Sequence, residues 1–280
     1  MNWIDEGALY SQIGLFLRED LGRGDITTQS LVARNTRARA RFVAGEKMIV
    51  AGLEAAEEVF LTLDSQQQLE AFVSDGEEVD AGKVIARMVG FADVLISAER
   101  VALNLLQRLS SIATLTNKYV RAIEGTGAEI VDTRATTPGL RLLERYAVEL
   151  GGGYNDRFGL DDGVVVTANH ISILGSVKAA VETAQAKIGY LHRVRVEVKN
   201  ESELKEAMAA GADVFILEGM SPEEVKRLAE IAKDSVIVCS GQITPENVRN
   251  YAEAGARLIQ VEALTNAAAA MKITFNVQPF

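Results

Sequence analysis

The second part of the chain alternates short apolar runs with amphipathic stretches, and this rhythm restricts the fold more than any other feature. The apolar runs lie at Glu129–Thr133, Gly163–Thr167, Arg193–Val198, Asp213–Glu218, Ser235–Cys239 and Arg257–Val261. Several of them are continuously apolar, which is typical of parallel strands that are buried on both faces. The pattern predicts an incomplete βα-barrel and leaves a doubly wound open sheet as the alternative.

Helix start signals stand between these runs. Ser221-Pro222 and Thr244-Pro245 each place a hydroxyl where an N-cap is expected and a proline at the first helical position. Each pair therefore predicts the start of a helix. Upstream, apolar residues at three- and four-residue spacing predict one long helix over 98–122.

The first hundred residues have a different sequence pattern, in which short stretches typical of strands are separated by turns. Strands are predicted at Ala38–Val43, Met48–Ala51, Leu69–Ser74 and Val84–Val89. A helix is predicted among them at Leu53–Leu63. This part of the chain is therefore predicted to form a small domain of mixed helices and strands.

Composition excludes several classes of function. The net charge of -10 and the pI near 4.9 argue against a nucleic-acid partner, because phosphate-backbone binding needs a basic face. No apolar run approaches the roughly 18 residues that span a bilayer, so no membrane partner is expected. Cys239 is the one cysteine, which excludes an internal disulfide and fits a reducing compartment. We therefore expect a cytoplasmic protein.

The active site of a βα-barrel lies at the carboxyl ends of its strands. In this chain the residues at those ends, most of them polar, are Thr133, Arg134, Thr167, His170, Glu197, Glu218, Ser240, Gly241, Gln242 and Glu262. Polar residues also belong at strand ends simply because these meet solvent. A convergent ring of them nevertheless predicts a site for a small anionic molecule.

Two arginines and two glutamates carry the strongest chemical signals. Arg134 and Arg157 can each grip a carboxylate with two parallel hydrogen bonds, although Arg157 could instead pair with Asp161 or Asp162 on the surface. Glu197 and Glu218 end neighbouring strands and could share one Mg²⁺. Their alternative is a pairing with Lys199 or with one of the arginines.

Four segments together resemble one known family. They are EDLGRGDITT at 19–28, AERVALNLLQRLSSIATLT at 98–116, DTRATTPGLRLLERYAVELGGGYNDR at 132–157 and AGADVFILEGMSPEEV at 210–225. In this order they resemble quinolinate phosphoribosyltransferase, the carboxylating nicotinate-nucleotide pyrophosphorylase of NAD biosynthesis. The resemblance implies the α/β fold class, with an N-terminal α/β sandwich domain at 1–108 and a C-terminal open βα-barrel at 109–280 that contains the active site. It also implies a homodimer with shared active sites.

The members of this family are glycosyltransferases that transfer a pentosyl group in pyridine nucleotide biosynthesis. They join quinolinate to phosphoribosyl pyrophosphate with Mg²⁺ and release pyrophosphate and CO₂. Carried over by motif, the family's dicarboxylate-binding arginines fall on Arg100, Arg134 and Arg157, and Arg100 would reach the partner subunit's site. Its acidic catalytic residues fall on Glu197 and Glu218, and Ser240-Gly241 retains part of its phosphate-binding turn. Thr133, Thr167 and His170 complete the expected substrate-binding set.

The chain departs from the family pattern at several of these places. Family lysines are replaced by Ala135 and Thr167, family histidines by Asp156 and Asn266, and family glycines by Gln242 and Glu262. These changes remove cations and add carboxylates where a highly charged phosphate ester should bind. A like-charge contact near 4 Å costs roughly 4 kcal/mol at an effective dielectric of 20.

Three functions therefore stay open from the sequence. The first is quinolinate phosphoribosyltransferase activity that tolerates the changes. The second is a repurposed paralogue that binds another anionic or heteroaromatic ligand without phosphoribosyl pyrophosphate, with Glu262 and Asp156 recognising a donor or a cation on that ligand. The third is a non-catalytic homologue that binds a ligand or a protein partner.

Overall fold

A computed structural model describes residues 6–233 and 235–280, which divide into two compact units. The sandwich unit consists of the residues up to Leu115, Thr136–Gly152 and Thr265–Phe280, and the barrel unit of Thr116–Ala135 and Gly153–Leu264. The domain boundary expected at residue 108 falls inside one continuous helix and stays a prediction. Residues 1–5 of the predicted first domain lie outside the described residues.

The helices and strands follow one another along the whole described chain. The helices are α1 (Glu6–Leu21), α2 (Ile26–Leu31), α3 (Leu53–Leu63), α4 (Ala92–Ala122), α5 (Arg141–Leu150), α6 (Ala168–Leu174), α7 (Val177–Gln185), α8 (Glu201–Ala209), α9 (Pro222–Ile231), α10 (Val248–Glu253) and α11 (Ala263–Asn266). The strands are β1 (Arg37–Ala44), β2 (Met48–Ile49), β3 (Gln68–Ala71), β4 (Glu78–Val79), β5 (Val84–Phe91), β6 (Glu129–Val131), β7 (Val164–Val166), β8 (Val194–Val198), β9 (Val214–Glu218), β10 (Val236–Ser240), β11 (Leu258–Gln260) and β12 (Ile273–Pro279).

The sandwich unit contains an antiparallel sheet in the order β12-β1-β5-β3. Residues of β1 alternate between exposed and buried, as expected when one face of a sheet meets solvent. On the buried face Phe42 packs against Phe275, with ring centroids 4.5 Å apart, and against Phe60 on α3 at 6.2 Å. The predicted helix Leu53–Leu63 and the strands at β1 and β5 are confirmed, whereas β12 was not predicted.

The barrel unit contains a parallel sheet in the order β6-β11-β10-β9-β8-β7. Strands β7 to β11 are neighbours in chain order and β6 pairs with β11, while β6 and β7 are not paired in the part of the chain that the structure describes. This order confirms the open barrel and is not that of a doubly wound sheet. Its interior contains a buried cluster of Val214, Ile216 and Val238.

Two predicted helices begin at other residues than expected. Helix α4 begins at Ala92, six residues before the predicted start at 98. Ser221 caps α9 as predicted, with proline at the first helical position. Thr244 does not cap α10, which begins at Val248. Residues 245–247 form a turn before it, in which the Asn247 side chain accepts the Thr244 N–H at 2.8 Å. No helix in the described ranges is long and apolar enough to cross a membrane.

Candidate functional site

A cavity of about 470 Å³ lies within the barrel unit, at the carboxyl ends of the strands. It is lined by Thr133, Arg134, Ala135, Asp156, Arg157, Val165, Thr167, Arg195, Glu197, Ile216, Glu218, Ser240, Gln260 and Glu262. The barrel therefore brings together most of the residues that the sequence singled out. Their functional roles stay predictions.

Several predicted site residues lie elsewhere. Arg100 is exposed on α4 in the sandwich unit and is not among the described residues that line the cavity. Gly241, Gln242 and Asn266 are exposed and also lie outside that lining. His170 is exposed, and its Nδ1 accepts the Thr167 N–H at 3.0 Å. In this structure His170 therefore helps to cap α6.

Arg157 is held in the cavity wall by the loop that follows it. Its Nη1 donates to the carbonyl oxygen of Gly163 at 2.6 Å. The pKa of Arg157 is lowered, first by burial and then by the positive charge of Arg134, with a smaller lowering by Arg195. The guanidinium groups therefore lie close enough to repel one another, and a bound anion would offset that repulsion. This is the electrostatic setting of a site for an anionic ligand.

The two glutamates at the strand ends differ in their surroundings. Glu197 Oε2 accepts the Ala168 N–H at 2.8 Å, at the start of α6. Glu218 is exposed at the end of β9 and is in register with Ser240 on β10. No group of three or more histidine, cysteine, aspartate or glutamate side chains that could hold a metal is found among the described residues. Mg²⁺ commonly takes one or two carboxylates together with substrate oxygens and waters, so this pair of donors fits it.

Asp156, which the sequence assigns to a donor or a cation on another ligand, lines the cavity and contacts donors of the protein itself, and its role toward a ligand stays a prediction. Its Oδ1 forms an ion pair with Arg195 Nη1, and its Oδ2 accepts a hydrogen bond from Gln260 Nε2 at 2.7 Å. Both carboxylate oxygens are therefore committed to the protein's own donors. The backbone N–H of Asp156 also donates to Asp132 Oδ1 at 2.6 Å.

Arg195 and Gln260 are cavity residues that the sequence reasoning missed. Arg195 lies inside β8, and Gln260, which is the last residue of β11, lies inside the longer strand that was predicted at Arg257–Val261. The signal was present in the two-residue period of a strand. In VRVEV the valines are buried, while Arg195 shares a face with Glu197. Gln260 stands two residues before Glu262, which had been identified, and both side chains line the cavity.

Glycine is required at the turn after β10. Gly241 has φ +128°, and a Cβ atom there would lie 3.0 Å from the backbone of Gly219. Glycine at 241 therefore lets the turn after β10 lie against the turn after β9. Ser240, the residue before it, lines the cavity. The changed positions Ala135, Thr167 and Glu262 also line it, so these departures from the family pattern lie in the site itself.

Comparison with known proteins places the chain among quinolinate phosphoribosyl transferases. The model of that family's N-terminal domain matches residues 25–110, and the model of its C-terminal domain matches residues 112–276. The probable carboxylating nicotinate-nucleotide pyrophosphorylase of Bacillus subtilis is 40% identical over 94% of this chain and 91% of its own length. That of Synechocystis is also 40% identical, over 89% of this chain and 85% of its own.

Solved structures agree over the whole chain. The crystal structure of NadC from Streptococcus pyogenes matches with a TM-score of 0.94 and 33% identity, covering 99% of each chain. The nicotinate-nucleotide pyrophosphorylase of Francisella tularensis matches with a TM-score of 0.91 and 35% identity, covering 99% of this chain and 98% of its own. Both the sequence and the fold therefore show that this chain belongs to the quinolinate phosphoribosyl transferase family.

Proposed function

We propose that this chain is a pentosyltransferase that forms nicotinate mononucleotide, pyrophosphate and CO₂ from quinolinate and phosphoribosyl pyrophosphate. The observation that carries the proposal is the shared cavity, in which Arg134 and Arg157 accompany Glu197 and Glu218. The names of the relatives, which are carboxylating nicotinate-nucleotide pyrophosphorylases, support the same activity.

In the proposed reaction, the ring nitrogen of quinolinate forms a bond to C1 of the ribose as the C1–oxygen bond to pyrophosphate breaks. The carbon–carbon bond to the adjacent carboxylate then breaks, CO₂ leaves, and the ring carbon takes up a proton. Arg134 and Arg157 bind the carboxylates and orient the ring, because a guanidinium matches a carboxylate with two parallel hydrogen bonds. Glu197 and Glu218 stabilise the positive charge that develops on the ribose.

Mg²⁺ is proposed as the metal of this reaction, where it would neutralise charge on the leaving pyrophosphate. Glu197 and Glu218 would hold it, together with oxygens of the substrate. Glu197 already has its Oε2 fixed by the Ala168 N–H, so this carboxylate is oriented before the metal binds.

We further propose a homodimer in which Arg100 of one subunit completes the site of its partner. The exposed position of Arg100 on α4, outside the lining of its own chain's cavity, supports this assignment. A cytoplasmic location is proposed from the composition, since the chain has a single, buried cysteine.

The activity is tested by incubating the purified protein with quinolinate, phosphoribosyl pyrophosphate and Mg²⁺ and measuring nicotinate mononucleotide. We expect product from the parent and a loss of about 100-fold or more in kcat/KM for Arg134→Met. Arg257→Met is the matched control, because this side chain is 64% exposed and does not line the cavity, and it should leave the rate unchanged. Absence of product from the parent would refute the proposed activity.

A second candidate is a repurposed enzyme that binds an aromatic acid but not phosphoribosyl pyrophosphate. It is favoured by Ala135, Thr167 and Glu262, which line the cavity where the resemblance expects two lysines and a glycine. Calorimetric titration separates the two candidates. Quinolinate binding without binding of phosphoribosyl pyrophosphate and Mg²⁺ supports the second, and binding of both with turnover excludes it.

A further inference from the structure

Arg195 occupies an unusual place for a charged side chain. It lies in the middle of β8, in register with Val165 on β7 and Val214 on β9. Val214 belongs to the buried interior cluster, and Val165 packs against that cluster. Arg195 is therefore one step deeper in the barrel than Glu197, which shares its face of the strand. Its side chain is 19% exposed and lines the floor of the cavity.

A buried charge needs an opposite charge and hydrogen-bond acceptors around it, and the structure supplies these for only some of the nitrogen atoms of the guanidinium. Nη1 is paired with Asp156, whose other oxygen is held by Gln260. Nε of Arg195 is buried and has no hydrogen-bond partner within the described residues. Asp156 therefore fixes the orientation of Arg195 without satisfying all of its donors.

The neighbours of Arg195 indicate which anion would offset the positive charge of its guanidinium. Arg195 lies close enough to Arg157 for their charges to interact unfavourably, so an anion between them would stabilise both. Two of the apolar residues in the cavity lining lie beside these charged groups in strand register: Val165 beside Arg195, and Ile216 beside Glu197. A flat aromatic ring that carries a carboxylate fits such a floor better than a polar sugar phosphate does.

We propose that Arg195 binds a carboxylate of an aromatic acid at the cavity floor, and that Asp156 and Gln260 are positioning residues that orient it. The identity of this acid as quinolinate rests on the proposed function. In this arrangement the chain provides a cation from inside β8, although the family lysines are replaced at Ala135 and Thr167.

The test is calorimetric titration of the full-length parent and its variants with quinolinate and, separately, with phosphoribosyl pyrophosphate and Mg²⁺. Arg195→Met should weaken quinolinate binding about 10- to 100-fold, as expected for the loss of charge-assisted hydrogen bonds. Arg195→Lys keeps the charge but loses the planar fork, so its loss should be intermediate. The matched control is Arg193→Met, because Arg193 is exposed just before β8, and it should bind like the parent.

The second titration distinguishes a carboxylate from a phosphate as the bound anion. Phosphoribosyl pyrophosphate binding should stay within about twofold of the parent's value in Arg195→Met, since a carboxylate site does not contribute to it. A loss of phosphoribosyl pyrophosphate binding with unchanged quinolinate binding would overturn the proposal and assign Arg195 to the phosphates. Equal quinolinate binding by Arg195→Met and the parent would overturn it as well, as would a parent that does not bind quinolinate.

The positioning role has its own readout. Asp156→Ala should raise the KM for quinolinate with little change in the KM for phosphoribosyl pyrophosphate, and Asp156→Asn, which keeps an acceptor oxygen, should recover part of the loss. Thermal melting of each variant checks that it is folded. If Asp156→Ala raises both KM values equally, the positioning role is refuted. A parent that binds quinolinate through Arg195 but forms no product would refute the proposed activity and leave the role of Arg195 intact.

Discussion

The sandwich sheet and the barrel sheet distribute polar residues in opposite ways. Along β1 the arginines at 37, 39 and 41 are exposed, while Ala38, Ala40 and Phe42 are buried. Along β9 the residues from Val214 to Leu217 are all buried, and Glu218 is exposed at the strand's end. Strand β1 of one sheet presents charged residues to solvent along its length, whereas β9 of the other has its exposed polar residue only at its end.

This difference determines how much a polar residue reveals about function. In the antiparallel sheet a polar side chain is the ordinary occupant of a solvated face, so Arg39 or Glu70 carries no chemical signal. In the barrel a polar side chain on an inner face loses solvation and needs a partner. Arg195 and Gln260 are therefore informative because they stand where an apolar residue would cost less.

The largest expected effect tests the packed face of the sandwich sheet. Phe42→Ala should lower the free energy of unfolding by about 3 to 5 kcal/mol, because Phe42 is fully buried against Phe60 and Phe275. Urea denaturation measures it, with Phe280→Ala as the control because Phe280 is 78% exposed. A loss below about 1 kcal/mol would show that this face repacks easily.

A smaller effect, on activity rather than on stability, tests the barrel side of the comparison. Glu218→Gln should lower kcat/KM about 100-fold, equivalent to about 2.7 kcal/mol, because it removes a charge from the cavity. Glu70→Gln removes a carboxylate from β3 that pairs with Arg87 on the surface, so it should change neither activity nor stability by more than about 1 kcal/mol. If Glu218→Gln and Glu70→Gln are equally active, a carboxylate in the barrel cavity is no more important for activity than one on the surface of the sandwich sheet.

The smallest expected effect concerns a carboxylate in the sandwich unit that acts through the backbone. Asp25 caps α2, and hydrogen bonds from the Thr28 hydroxyl and then the Thr28 N–H lower its pKa. Because the pKa of Asp25 is lower in the folded protein than the value of about 3.9 in the unfolded chain, ionised Asp25 stabilises the fold at pH values above about 3.9. This stabilisation is lost as the pH falls through the pKa of the folded state.

Asp25→Asn keeps an N-cap acceptor but removes the charge. Its stability should differ from the parent's by no more than about 1 kcal/mol at pH 7, and the difference should shrink as pH falls from 5 to 3. Denaturation curves across that range measure it. A difference that grows on acidification would mean that the charge of Asp25 does not stabilise the fold.

The sequence predicted the barrel well because its signals are local. Each predicted strand from Glu129–Thr133 to Arg257–Val261 overlaps one of the strands β6 to β11. Parallel strands end at the same edge of a sheet, so the convergence of Arg134, Glu197 and Glu218 followed from the same pattern.

What the sequence did not predict depends on distant pairing or on alternation inside a strand. Strand β12 pairs with β1 across more than two hundred residues, and no local pattern connects them. Arg195 was not predicted because it lies inside a strand rather than at its end, although the alternation in VRVEV places it on the same face as Glu197. The start of α10 was predicted three residues too early, because residues 245–247 form a turn before the helix begins at Val248.

The pairing of β1 with β12 has a consequence for synthesis. Ala38 is in register with Pro279, so the sandwich sheet cannot be completed until Ile273–Pro279 has left the ribosome. Until then β1 is an edge strand, and Phe42 lacks the contact with Phe275 that it has in the folded protein. The nascent chain therefore has an unpaired strand edge through most of its translation, and an unpaired edge can pair with another chain or bind a chaperone before the sheet is completed.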